Sequence, residues 1–167
     1  MISWIASLVS WLPKEFATIL IAALPVGEVR AAIPVAVTAF HLHPAMAFFL
    51  SWAGNLIPIF FIYAFLPSVL KWAEAHWPWF HRTMQEYFSA LRSKHTADID
   101  RYGAAALGIF VAVPLPGTGT WTATIIAVLF GIRSSYGIPS MIIGSAAATL
   151  LMLLATEGLL GAFRFFF

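Results

Sequence analysis

Apolar residues fill this chain in long blocks, and prolines, glycines and a few polar residues break two of the blocks near their middles. The first break, Pro25-Val26-Gly27-Glu28-Val29-Arg30, lies inside the run from Phe16 to Phe40. The leading arm, Phe16 to Leu24, rises only about 14 Å as a helix. The hydrocarbon core of a bilayer is about 30 Å thick. The returning arm, Ala31 to Phe40, is about as short. The second break, Val113-Pro114-Leu115-Pro116-Gly117-Thr118-Gly119-Thr120-Trp121, divides the run from Tyr102 to Gly131. Its arms are roughly 18–20 Å long. Two short apolar arms joined by a turn predict a re-entrant helical hairpin in each case. For the first, the alternative is one spanning helix kinked at Pro25 and Pro34. That helix would hold Glu28 and Arg30 in lipid at about 3 kcal/mol each.

Two further blocks are long enough to cross. Ala45 to Leu66 carries Asn55 and Pro58 inside and Pro67 just beyond; Ile138 to Leu160 carries Gly144 and Ser145. Between the halves, residues 71–101 are the charge-rich stretch. Phe80, Met84, Tyr87, Phe88 and Leu91 recur there at helical spacing behind Trp72, Trp77 and Trp79. This predicts an amphipathic helix at the membrane surface. Residues 1–12 lack a basic region and a small-residue cleavage site, and read as a short interfacial helix rather than a signal peptide.

The expected fold is therefore all-α and integral to the membrane, a single membrane domain over residues 1–167. Repeat one spans 13–70, the amphipathic linker 71–100 and repeat two 101–164. Each repeat is a re-entrant hairpin followed by a transmembrane helix. One span between the hairpins delivers the second from the opposite face, so the repeats are inverted. Both tips, marked by Pro25, Gly27 and Pro34 and by Pro114 and Pro116, then lie near the midplane.

Composition strengthens the membrane assignment. The chain is 61% hydrophobic and 10% charged, against about 45–50% and about 25% in soluble domains. With no cysteine, disulfides and thiolate chemistry are excluded. A net charge of +2 gives no case for nucleic acid. The linker side, with Arg133, holds six of the basic residues and the side of Lys14 and Arg164 two, which places the linker in the cytoplasm.

The chemistry is sparse. Glu28 and Arg30 are the strongly ionisable residues inside the predicted membrane segments, and intramembrane charges are functional candidates by default. Glu28 could take a proton or a cation, and Arg30 a phosphate or carboxylate; a purely structural ion pair is the alternative. Gly117, Thr118, Gly119 and Thr120 would open a helix whose free N–H groups and hydroxyls favour an anion, or merely cap it. Asn55 could bond a substrate, a hairpin tip or a neighbouring helix. His41 and His43 have no acid or third histidine nearby, so no metal site is expected. There is no HExxH, no G-x-S-x-G and no pair of membrane aspartates, and Glu157 sits near a span's end. Neither an enzyme nor a cofactor is expected.

The stretch from Pro25 to Pro34 resembles the first motif of the small multidrug export protein family. Arg101-Tyr102-Gly103 with Pro114 to Trp121 resembles its second. That family is similar, distantly, to the DedA membrane proteins, which have paired re-entrant hairpins and are linked to moving polyprenyl-phosphate lipids. The resemblance implies a transporter with proton coupling, and candidate roles for Glu28 and Arg30. The arginines that DedA proteins carry around the second tip are absent here, where Val111, Ala112 and Val113 precede it.

The expected function is transport of a small amphiphile or an anionic lipid, with a proton on Glu28. Arg30, Thr118, Thr120 and the Gly117 and Gly119 backbone would hold the substrate. The expected setting is a homodimer among the lipids of a bacterial or archaeal cell membrane. Passive lipid scrambling and a non-transporting scaffold are the alternatives.

Overall fold

The computed structural model describes residues 12–76, 96–115 and 117–166. The predicted interfacial segment, most of the amphipathic linker and Pro116 lie outside the described residues. Every regular element among the described residues is helical. Helix α1 spans Lys14–Ala23, and α2 spans Glu28–Pro34 and runs into a π-helical turn, Val35–Ala39. Helix α3 spans Pro44–His76, α4 Thr96–Ala112, α5 Thr120–Leu129 and α6 Ser134–Phe166.

The first pair of short helices goes out and back. Lys14 Nζ donates to the Phe40 carbonyl at 3.0 Å, which ties the two ends of the unit together. Pro34 lacks an N–H, so the ladder of α2 is interrupted there. The chain absorbs the missing bond by widening: Phe40 N–H reaches back five residues to Val35 at 3.0 Å, and Thr38 Oγ1 donates to the Pro34 carbonyl at 2.6 Å. Ala17, Ile21 and Ala22 of α1 pack on Ala32, Val35 and Phe40. The second pair, α4 and α5, closes in the same way around Ala104, Leu107, Val111, Ala123, Ala127 and Ile132. Each unit leaves through a left-handed residue, His41 at φ 53° and Gly131 at φ 70°. Such a residue ends a helix by turning the chain out of its axis.

Helices α3 and α6 are each 33 residues long. Within them Pro44–Ala73 and Ser134–Leu159 are long and apolar enough to cross a membrane, at mean hydropathies of 1.8 and 2.0. They run antiparallel: Ile59 meets Met141 in one cluster, and Ala47 meets Ala148 in another. At their crossing Asn55 Nδ2 donates to Ser145 Oγ at 2.9 Å, and Trp52 Nε1 to the Ile142 carbonyl at 3.3 Å. Both bonds join residues 90 positions apart. His41 and Gly131 are separated by that same spacing.

Both long helices exceed their predicted bounds. Pro67 was expected to follow the first span, yet α3 runs through it to His76. Helix α6 starts at Ser134, four residues before the predicted span from Ile138, because Tyr136 and Gly137 both donate to the Arg133 carbonyl, at 3.0 and 2.9 Å. It also contains Pro139. As the sixth residue of the helix it removes one bond from the ladder, the one its N–H would have made to the Ser135 carbonyl.

Glycine sets how closely the short pairs approach the long helices. A Cβ at Gly54 of α3 would fall on the Ile19 carbonyl of α1, and one at Gly144 of α6 on the Gly108 carbonyl of α4. Hairpin helices and long helices thus touch backbone to backbone, as small residues permit where helices pack in lipid.

Candidate functional site at the junction of the two turns

The turn of the first pair, Leu24–Gly27, and the turn of the second, 113–119, meet beside the crossing of α3 and α6. Three groups flanking the first turn reach the second turn or the start of α5. Arg30 Nη1 donates to the Leu115 carbonyl. The Ala23 carbonyl accepts from Trp121 Nε1 at 2.9 Å. The Glu28 carboxylate lies at the start of α5, where Oε1 is 3.4 Å from Trp121 N and 3.5 Å from Thr120 Oγ1.

Glu28 is the centre of this arrangement. It is 3% exposed, and its other oxygen pairs with Arg30 Nη2 at 3.1 Å. Its backbone is left-handed, at φ 47°, which costs an L-residue about 1–2 kcal/mol. The conformation persists because it aims the side chain across the gap between turns. Helix α5 has no side-chain cap of its own, since the residue before it is Gly119. The carboxylate of Glu28 supplies that cap from the other turn, opposite the positive end of the helix. Gly119 is required by space, not by conformation. Its φ of −86° suits any residue, but a Cβ there would occupy the position of the Glu28 carboxylate.

A file of buried polar groups leads from this point between the long helices. Thr120 Oγ1 lies 3.0 Å from Asn55 Oδ1, and Asn55 passes the chain to Ser145. Thr120, Asn55 and Ser145 are 1% exposed or less. One turn from Asn55, the buried Ser51 hydroxyl has no hydrogen-bond partner among the described residues.

Of the residues chosen from sequence, the structure brings Glu28, Arg30, Gly119, Thr120 and Asn55 together. Thr118 stays within its own turn, bonding the Val113 carbonyl at 2.5 Å and the Leu115 carbonyl at 2.8 Å. Gly117 stands exposed at φ 87°, with nothing close to its side-chain position. Pro25 is exposed on the first turn and Pro34 lies at the far end of α2. Gly27 packs inside the first turn, against Ala31 and Ile21. Pro114 is half-buried on the second turn. The donors expected at the start of α5 thus face the protein's own carboxylate. Sequence reasoning did not select Trp121, Ser145 or Ser51. The signal for Ser145 was a small hydroxyl in an apolar span, 90 residues after Asn55. For Trp121 it was an indole N–H in an apolar run, which needs an acceptor.

No group of three or more metal-ligating side chains occurs among the described residues.

With this geometry in view, comparison with known proteins gives one family. The profile of the family described as "putative small multi-drug export protein" matches residues 28–151, most of the chain. The chain belongs to that family. Its two long apolar helices and its family together indicate an integral membrane protein. No characterised protein and no solved structure matches it.

Proposed function

We propose that this protein is a transporter of a small amphiphile or an anionic lipid, coupled to protons through Glu28. The two short helix pairs are re-entrant hairpins that enter from opposite faces, and their tips meet near the midplane to form the site. The observation that carries this reading is the Glu28–Arg30 pair at the junction of the turns, bonded to both units. A carboxylate and a guanidinium at membrane depth are costly, and they persist where they serve a substrate or ion path. The inverted arrangement draws support from the equal lengths of α3 and α6, the two bonds between residues 90 apart, and the matching left-handed exits. In such folds the site lies where broken helices meet, and one repeat rocks against the other. Glu28 and Arg30 belong to the first hairpin and α5 to the second, so the bonds between them are those that rocking must break. The family name, with its reference to drug export, agrees with transport without naming a substrate.

The test is a proteoliposome assay with an imposed pH gradient, offering labelled phospholipid, polyprenyl phosphate and a cationic dye in turn. Glu28→Gln keeps the shape of the side chain and removes its titrating proton. It should abolish gradient-driven movement of whichever compound the native protein moves. Gradient-driven movement at the native rate in Glu28→Gln would remove Glu28 from the mechanism.

A further inference from the structure

One hydrogen at the junction faces two acceptors. The Thr120 hydroxyl can donate a single bond. Asn55 Oδ1 lies 3.0 Å from it and Glu28 Oε1 3.5 Å. Ser145 orients the Asn55 amide: Nδ2 donates to its hydroxyl at 2.9 Å, so the oxygen is the end that faces Thr120. An amide oxygen and an ionised carboxylate can only accept. Glu28 is 3% exposed and Thr120, Asn55 and Ser145 are 1% exposed or less, so bulk water does not replace the bond that Thr120 withholds. An O–H donor closes to about 2.5–2.7 Å on an ionised carboxylate. The longer contact to Glu28 leaves the hydroxyl with Asn55 in this structure.

We infer that Thr120 and Asn55 are positioning residues for the proton on Glu28, with the Thr120 hydroxyl as a two-way switch. Glu28 Oε2 is held by Arg30, so the proton sits on Oε1. When it is there, its O–H donates to Thr120 Oγ1, Thr120 donates to Asn55 Oδ1, and Asn55 donates to Ser145. The last two of these bonds are the ones observed. When the proton leaves, the Thr120 hydroxyl turns about its Cβ–Oγ1 bond and donates to the carboxylate. Asn55 Oδ1 then loses its donor, and a buried acceptor without one is costly. Protonation therefore decides whether the start of α5 is bonded to the long helix α3 or to the first turn. Arg30 is the one charged group facing Glu28 among the described residues; α3, α5 and α6 present only neutral groups there. The inference rests on the proposed function in assigning the proton to Glu28.

The test follows the infrared C=O stretch of protonated carboxyl groups against pH in the purified protein. The part of the band absent from Glu28→Gln belongs to Glu28. Thr120→Val removes the hydroxyl at nearly constant shape, and Asn55→Leu removes the competing acceptor. The native midpoint should fall between those of the two variants, with Thr120→Val at the higher pH and Asn55→Leu at the lower, each about one unit away. Thr120→Ser keeps the hydroxyl and should titrate as the native protein does. A role in packing alone would not move two variants in opposite directions, nor be restored by serine. Ser145→Ala frees the Asn55 amide to turn its Nδ2 towards Thr120. It is the milder substitution where Asn55→Leu does not fold, and it should shift the midpoint in the same direction. Shifts of both variants in one direction, or no shift in either, overturn the inference. A native protein with no Glu28-dependent band overturns it too. Titration is read without transport. Midpoints in the expected order in a protein that moves no compound keep the switch and end the transport reading, whereas a transporter with midpoints out of order does the reverse.

Discussion

Gly119→Ala isolates the contact on which the junction depends. The added methyl has no conformational cost, since Gly119 is at φ −86° and ψ 179°. Its whole effect is to occupy the position of the Glu28 carboxylate. Evicting that group breaks its contacts to Trp121 N at 3.4 Å and Thr120 Oγ1 at 3.5 Å. Hydrogen bonds to charged groups contribute about 1.5–3 kcal/mol each, and these are long enough to take the lower figure. Loss of the negative charge from the start of α5 adds roughly 0.3–1 kcal/mol. The expected destabilisation is about 3–4 kcal/mol, or roughly a 10 °C fall in Tm for a chain of this size. Thermal unfolding followed by tryptophan fluorescence in detergent would read it. The decisive arm is Glu28→Ala with and without Gly119→Ala. In Glu28→Ala the contacts are already gone and the space is vacant, so the methyl should cost under about 0.5 kcal/mol. The coupling energy in that cycle should therefore approach the whole effect. If Gly119→Ala costs as much without Glu28 as with it, the carboxylate is not what the glycine accommodates.

Two further predictions concern the packing around the site. Ser51→Ala removes a buried hydroxyl that has no partner among the described residues. It should leave stability unchanged or raise it by about 1 kcal/mol, and a marked fall in Tm would mean that the hydroxyl has a partner. Gly144→Ala should separate α6 from the Gly108 backbone and lower Tm by several degrees, whereas Gly158→Ala, with open space around it, should raise Tm slightly by removing a helix-interior glycine.

Much of this arrangement was legible in the sequence because it rests on length and on local chemistry. Arms too short to cross a bilayer, breaks at Pro25 and at Pro114 to Gly119, and two uninterrupted apolar blocks fix how many helices form and which are long. The choice of Glu28, Arg30, Asn55 and Thr120 followed from the cost of placing polar groups in an apolar run, and that cost does not depend on the fold. The ends of the long helices were less legible. A proline does not by itself end a helix, and α3 carries Pro67 inside it.

Only the tertiary structure decided which groups face each other. Glu28 and Trp121 are 93 residues apart, and nothing local brings a carboxylate to the start of a distant helix. From sequence, the start of α5 read as a place for an anion or as a simple cap. In the folded chain its N–H and hydroxyl donors face Glu28, and Thr118 is taken up by its own turn. The role of Gly119 was equally hidden, because its backbone is ordinary and its constraint comes from another segment. Sequence determines the cost of each buried polar group. Pairing that group with a partner requires the chain to close on itself, and that closure exists only in three dimensions.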